Sequence, residues 1–194
     1  KPTGRKAQYP LFLDGDVMDQ FNLSGFPPQV VPKFSLGDEI DMTHEKLVQW
    51  GQGFTHKHYV FGNHEARWAR EIYARHPQMA RFSQDLATAL GLEKLGYDWV
   101  PYLKHYEFEG FIITHGNTAP KYAAAAMYDQ YHRSGVSGHV NRPQTFGFAN
   151  AANGEPDTWY CLGMSCIPNI GDYIKVWMKT MPWQQAFLIG EVQG

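Results

Sequence analysis

The sequence has few cysteines, no excess of charge of one sign and no long apolar run. Its two cysteines, Cys161 and Cys166, are too few for a disulfide framework. The formal net charge of −2 provides no global basic field for tight non-specific binding to duplex nucleic acid. No segment has the pattern of a signal peptide or of an apolar span of about 18 residues. These absences favour a cytoplasmic protein over a secreted or membrane protein, and we expect no membrane partner. The sequence does not indicate an oligomeric state.

The composition is that of an ordered globular protein. Hydrophobic residues make up 43% of the chain and aromatic residues 15%, whereas charged residues make up 19%. This balance is typical of a chain that buries a full core. With 194 residues and neither an internal repeat nor a low-complexity tract, we expect a single domain over residues 1–194.

The most informative segment is an apolar run that ends in polar residues and then becomes helical. Tyr59–Phe61 has the character of a buried strand, and Gly62 permits backbone conformations that a side chain resists. Asn63 and His64 follow, and the segment Ala66–Arg75 has helical propensity. Asn63 and His64 are therefore predicted to lie at the carboxyl end of a strand, the edge at which open α/β sheets bind ligands.

Three further predicted strand ends carry side chains that can bind a metal. Leu11–Leu13 precedes Asp16, Phe111–Thr114 precedes His115, and a strand beginning at Gly135 leads to the fourth residue of the set. In an alternation of strands and helices such ends converge on one edge of the sheet. The four predicted ligands are Asp16, Asn63, His115 and His139.

This ligand set predicts a particular kind of metal and reaction. One carboxylate, one amide oxygen and two imidazoles suit Mn, Fe or Zn better than calcium, which prefers oxygen ligands alone. Such a metal acts as a Lewis acid on a phosphoryl oxygen and lowers the pKa of bound water. His64 is then available as a general acid for the leaving oxygen, and Asp19 is placed to hydrogen-bond its ring.

The remaining chain is predicted to alternate between helices, strands and one long loop. We expect a loop rich in Pro, Gly and Ser over Phe21–Phe34. Helices are predicted over Asp38–Gly51, Met79–Leu90 and Ala119–His132. Strands are predicted over residues 98–102, 105–109, 145–148, 158–162 and 186–192, and residues 173–178 are ambiguous between helix and strand.

Some of these residues also have plainer interpretations. Gly37-Asp38 is a second copy of the Gly-Asp pattern, and we prefer Asp16 as the ligand because an apolar strand precedes it, whereas helical spacing follows Asp38. His56 and His58 have an alternating spacing that can bind metal, but we expect them to be solvated.

Two arginines are candidates for substrate binding. Arg67 and Arg142 can each clamp a phosphate through two parallel hydrogen bonds. Arg67 is equally well explained as an exposed helix residue. The two cysteines are most simply core or near-surface thiols.

Four of the motifs resemble those of one family, in the family's order. They are Gly15-Asp16-Val17-Met18-Asp19, Gly62-Asn63-His64-Glu65, His115-Gly116 and Gly138-His139-Val140-Asn141. Together they are similar to the calcineurin-like metallophosphoesterase superfamily, over about Leu11 to Arg142. The arginine that follows the second motif, Arg67, resembles the pattern of bacterial and phage-type members.

The resemblance implies a fold, a cofactor and a reaction. It implies an α/β fold, a two-layered β-sandwich flanked by helices, with one or two divalent metal ions, Mn²⁺ first and Fe or Zn next. Asp16 resembles the metal-bridging aspartate, and His64 and Asp19 resemble the catalytic histidine and its partner. The other ligands of the second metal correspond to Asn63, His115 and His139. The implied function is hydrolysis of a phosphate mono- or diester by a metal-bound hydroxide, the substrate being a small molecule, a nucleotide or a nucleic-acid end.

The sequence departs from the family pattern at two points, both of which concern the first metal. The family's opening Asp-x-His motif has no counterpart before Leu11, and we expect it to lie in a segment upstream of Lys1. The last motif ends in Asn141 where the family has histidine, so Asn141 is expected to be a weak metal ligand. The alternative function is a degenerate binding module that keeps the cleft, with one metal or none, and does not catalyse.

Overall fold

The structure is a computed structural model that describes residues 9–25, 34–149, 156–166 and 183–191. The described residues form a mixed α/β protein with two β-sheets and five α-helices. The chain divides into two compact units, residues 1–102 and 103–194, and each sheet lies within one unit. The α/β class predicted from the sequence is confirmed.

The first unit contains a parallel sheet of three short strands. The strands are β1 (Leu11–Asp14), β2 (Lys57–Val60) and β3 (Tyr97–Val100), in the order β1-β2-β3. Asp14 is opposite Val60 in the register, so the carboxyl ends of β1 and β2 are level with each other. The strands predicted from the two apolar runs are both confirmed.

The longest helix of the first unit is α1 (Leu36–Gly51). It begins two residues before the predicted start because Ser35 caps it: the hydroxyl of Ser35 accepts the backbone N–H of Asp38, and the carboxylate of Asp38 accepts the backbone N–H of Ser35. After β2, the predicted helix is present as α2 (Ala66–Ala69), which continues as a π-helical segment, Arg70–Arg75.

The prediction of one continuous helix over Met79–Leu90 is wrong. A single 3-10 turn, Pro77–Met79, is followed by non-helical residues before α3 (Leu86–Leu90) begins. The carboxylate of Asp85 accepts the backbone N–H of Thr88 and so starts a new helix there. The predicted end at Gly91 is confirmed, and α4 (Leu92–Leu95) follows at once.

The core of the first unit lies between its sheet and these helices. Leu47 of α1, Tyr59 of β2 and Leu90 of α3 are fully buried in one apolar cluster. Met18, just beyond β1, is buried in the same cluster. The turn that follows β1 is therefore anchored to the core.

The second unit contains a mixed sheet of five strands in the order β4-β5-β6-β8-β7. The strands are β4 (His105–Phe108), β5 (Phe111–Thr114), β6 (Gly135–Ser137), β7 (Gln144–Ala149) and β8 (Pro156–Cys161). The pairs β5–β6 and β6–β8 are parallel, whereas the two outer pairs are antiparallel.

One helix, α5 (Ala123–Tyr131), packs on this sheet, and Trp159 of β8 is fully buried with it. The helix begins four residues later than predicted, after Pro120 and a non-helical Tyr122. A proline has no backbone N–H and disfavours helical geometry in the residue before it.

The C-terminal part of the chain differs from the prediction where the structure describes it. No strand forms in the described residues 183–191, where the prediction placed one from residue 186; a single β-bridge joins Met164 to Gln185. Residues 173–178 and most of the predicted Phe21–Phe34 loop lie outside the described residues, apart from a 3-10 turn at Phe21–Leu23. Within the described residues, no helix combines the length and the apolar character needed to cross a membrane.

Candidate functional site

In the first unit, two neighbouring parallel strands each end in predicted site residues. Asp16 lies two residues beyond the end of β1, and Asn63 and His64 lie three and four residues beyond the end of β2. Because β1 and β2 are parallel and in register, these residues share one edge of the sheet. All three are partly buried.

The second unit repeats this arrangement. His115 directly follows β5, and His139 lies two residues beyond β6, the parallel neighbour of β5. Thr114 is opposite Ser137 in the register, so the two histidines also leave their sheet at one edge. Each unit thus places two of the four predicted ligands at the ends of a parallel strand pair.

The two imidazole rings of the second unit lie close together. The ring centroids of His115 and His139 are 5.2 Å apart and the planes are inclined by 74°. Gly116 follows His115 with φ +92°, a left-handed conformation that favours glycine, while a Cβ there would make only ordinary contact, 3.6 Å from Cβ of His139. The side chain of His115 is buried, as suits an imidazole with a fixed orientation.

Asp16 occupies an unusual backbone conformation. Its φ of +51° is left-handed, a region in which Asp and Asn are enriched among residues with a side chain. Oδ1 of Asp16 accepts the backbone N–H of His64 at 3.0 Å, and Oδ2 lies 3.9 Å from Nε2 of the same histidine. The carboxylate therefore already joins the turn after β1 to the turn after β2.

Glu65 is the site residue that the sequence analysis missed. It is 2% exposed, and its carboxylate accepts five hydrogen bonds, from the backbone N–H groups of residues 16, 17, 18 and 62 and from the Tyr59 hydroxyl. Burial and this carboxylate raise the pKa of Tyr59 well above its ordinary value. The spacing Gly62-x-x-Glu65 was an available signal, because a glutamate can reach back to the backbone N–H three residues before it, as in a capping box.

His64 has the acidic neighbour that was predicted for it. Nδ1 of His64 lies 3.2 Å from Oδ1 of Asp19, and the histidine side chain is 18% exposed, so part of it remains accessible to solvent. The contact joins residues 45 positions apart in the sequence. Asp19 is in a position to orient the ring, as expected of the partner of a general acid.

The turn that carries Asp19 is held from two sides. Arg67 donates from Nη1 to the backbone carbonyls of Asp19 and Gln20, and Glu39 of α1 accepts the backbone N–H of Gln20 at 2.7 Å. Burial raises the pKa of Glu39 above its ordinary value, against the opposing effect of its hydrogen bonds. Arg67 is only 11% exposed, so its interpretation as an exposed helix residue is wrong.

The other candidate residues of the second unit make backbone contacts. Nη2 of Arg142 donates to the carbonyl of Pro120 at 2.6 Å, and the carbonyl of Asn141 accepts the N–H of Gln184 at 3.0 Å. Asn141 has φ +53° and His139 has φ +64°, so the last motif contains two left-handed residues. Such a strained backbone is frequent where a loop presents functional side chains.

The structure decides three of the plainer interpretations. Asp38 is part of the cap of α1, as expected of the second Gly-Asp copy. His58 is buried and stacks on Phe12 at 4.7 Å, so the expectation that it is solvated is wrong, whereas His56 is exposed as expected. Burial lowers the pKa of His58. Cys161 is buried and Cys166 is exposed, as predicted for core and near-surface thiols.

Comparisons of the chain with protein-family models, with curated proteins and with solved structures find no match.

Proposed function

We propose that this protein is a metal-dependent phosphoesterase that hydrolyses a phosphate mono- or diester. The observation that carries the proposal is the placement of Asp16 and Asn63, and separately of His115 and His139, beyond the ends of neighbouring parallel strands. The four motifs that resemble the calcineurin-like metallophosphoesterases contain the same residues. On this proposal the fold is that family's two-layered β-sandwich flanked by helices.

The residues fit a divalent metal by their chemistry. Two imidazoles with centroids 5.2 Å apart can turn a nitrogen each toward one ion. By donor type, the proposed ligands are a carboxylate, an amide oxygen and imidazoles, a mixed set suited to Mn²⁺, with Fe or Zn next. The metal would supply Lewis-acid polarisation of a phosphoryl oxygen and a bound water of lowered pKa.

The proton for the leaving oxygen comes from His64. Its ring is in contact with Asp19 through Nδ1 and is partly exposed, so Nε2 is the nitrogen that can meet substrate. The contact with Asp19 limits the rotation of the ring. Arg67 and Glu39 hold the turn that carries Asp19. Arg67 therefore has a positioning role in addition to any phosphate binding.

A degenerate binding module is the second candidate, and Asn141 is the observation that favours it. An amide oxygen at this position is a weaker ligand than the imidazole of the family, so a first metal site would be poorly held. The protein would then keep one metal or none, and bind a phosphate ester without hydrolysing it.

Hydrolysis assays with metal analysis on the same preparations test the proposal. The purified protein is assayed with Mn²⁺ on bis(p-nitrophenyl) phosphate and on p-nitrophenyl phosphate. We expect turnover that EDTA abolishes and that Mn²⁺ restores. His115→Ala should lose bound metal and turnover, whereas His105→Ala, on a partly exposed histidine of β4, should keep both. A parent protein that binds Mn²⁺ tightly and turns over neither substrate is the binding module.

A further inference from the structure

A buried carboxylate joins the two turns that carry the predicted site residues of the first unit. Oε2 of Glu65 accepts the backbone N–H of Asp16 at 2.9 Å and that of Gly62 at 2.8 Å. The first donor belongs to the turn after β1 and the second to the turn after β2. One oxygen atom is thus the shared acceptor of both turns.

The other oxygen of Glu65 fastens the same turns to the core. Oε1 accepts the N–H of Val17 at 2.8 Å, the N–H of Met18 at 3.2 Å and the hydroxyl of Tyr59 at 2.7 Å. Tyr59 and Met18 are both fully buried. Three donors on one oxygen leave it no capacity for a further partner.

The link between the turns is reciprocal. Glu65, in the segment after β2, binds the backbone of Asp16, while the carboxylate of Asp16 binds the backbone N–H of His64 at 3.0 Å. The left-handed φ of Asp16 is maintained within this pair of contacts. A displacement of either turn therefore breaks hydrogen bonds at both carboxylates.

We propose that Glu65 is a positioning residue, whose carboxylate sets the separation between Asp16 and the Asn63-His64 pair. It touches neither substrate nor metal; it acts through the backbone of the residues that do. The inference rests on the proposed function for what the two turns bind. The hydrogen bonds of the Glu65 carboxylate to both turns, here called the clasp, form in the chain without metal. No role was assigned to Glu65 by its motif.

This arrangement requires both side-chain oxygens of Glu65 to accept hydrogen bonds. An ionised carboxylate is an acceptor at both oxygens, whereas an amide has one oxygen and one NH₂ group that only donates. In Glu65→Gln, the amide oxygen is expected to keep the three donors that Oε1 holds. The NH₂ group then faces the N–H groups of Asp16 and Gly62, so the substitution breaks the shared contact at almost unchanged volume.

Backbone amide hydrogen exchange in the metal-free protein tests the clasp directly. In the parent, the amides of residues 16 and 62 should be protected. In Glu65→Gln they should exchange at least about tenfold faster, while amides of β2 and α1 keep their protection, because a lost hydrogen bond opens these sites locally. Glu71→Gln, a matched change in the following helical segment where Glu71 pairs with Arg75, should alter neither amide.

Mn²⁺ affinity and kinetics then test what the clasp positions. Loss of a residue that orients metal ligands costs roughly 10- to 100-fold in metal affinity or activity. We expect Glu65→Gln to weaken Mn²⁺ binding and to lower kcat by factors in this range, with KM changed less. Glu65→Asp keeps the charge on a shorter side chain and should recover part of both losses.

The outcomes separate this inference from the proposed function. Parent amides 16 and 62 that exchange as fast as those of an unstructured chain would overturn the clasp, and this measurement needs no variant to fold. Faster exchange at these amides with unchanged Mn²⁺ affinity would reduce Glu65 to a structural residue. If the parent neither binds Mn²⁺ nor hydrolyses ester, the proposed function fails, and the positioning role fails with it even if the amides are protected.

Discussion

Nδ1 of His64 lies 3.2 Å from Oδ1 of Asp19, although the two residues follow different strands of the sheet. The contact depends on two turns that other side chains hold: Arg67 and Glu39 hold the Asp19 turn, and Glu65 holds the turn of His64. The proposed general acid is therefore oriented by a network rather than by one neighbour. Four predictions test this network and the sheets that support it.

Replacing His64 should remove catalysis but not metal. In His64→Ala we expect kcat to fall on the order of 10²- to 10⁴-fold, which is the usual contribution of general acid catalysis. Metal content, measured by elemental analysis, should stay at the parent value because His64 is not among the proposed ligands. His76→Ala, an exposed histidine in the same segment of the chain, is the control. Activity of His64→Ala within about twofold of the parent would contradict the role given to His64.

Asp16 and Asp38 are two Gly-Asp aspartates with opposite expected behaviour. Asp16→Asn should abolish Mn²⁺ binding and activity together, because it removes the negative charge that offsets the dication. The fold should survive, since Asn accepts the left-handed φ of this position. Asp38→Asn should keep metal and activity and lower only the thermal midpoint, because it weakens the cap of α1. Elemental analysis and circular dichroism on the same samples decide; a metal phenotype at Asp38 and none at Asp16 would overturn the site assignment.

Glu39 should make stability depend on pH. Burial raises its pKa in the folded protein above the ordinary value of 4.5, so the folded state binds this proton more tightly than the unfolded state. Between the two pKa values, the contribution of Glu39 to the free energy of unfolding falls as pH rises. The stability of Glu39→Gln relative to the parent should therefore increase from about pH 4 to about pH 7.

Urea unfolding at both pH values measures this difference. Glu45→Gln, an exposed glutamate of the same helix, reports what loss of a surface charge does by itself. A relative stability of Glu39→Gln that decreases over the same pH interval would show that the pKa of Glu39 is lowered and not raised.

Gly135 should not tolerate a side chain. A Cβ at Gly135 would overlap the ring of Trp159 and lie 2.7 Å from the carbonyl oxygen of Ile112, in the buried centre of the second sheet. Overpacking of this kind costs about 1–3 kcal/mol, so Gly135→Ala should lower the free energy of unfolding by that amount. Gly147→Ala in β7, where a Cβ meets no heavy atom of the described residues within 4 Å, should not lower it. Equal losses in the two variants would show that strand propensity, and not the contact with Trp159, sets the effect.

Local patterns predicted much of the secondary structure. The apolar runs before Asp16, Asn63 and His115 are strands because a short apolar segment followed by a turn residue has few other stable forms. The helix predicted over Met79–Leu90 failed because propensity over the window outweighed the capping signal of Asp85, which lies inside it. His58 was expected to be solvated but is buried. The alternating spacing of His56 and His58 places them on one side of a strand, but it does not show whether other residues cover that side.

The sequence by itself determined which residues end the strands, since strand, turn and ligand are adjacent in the chain. It also indicated Asp19 as the neighbour of His64, through the order of the motifs. Only the tertiary structure decided that Glu65 is buried among five donors, because three of the donors come from residues 47 to 49 positions away. A glutamate directly before a helix is equally compatible with solvent. Its burial is favourable only when the backbone N–H groups of a distant turn replace the water that it loses.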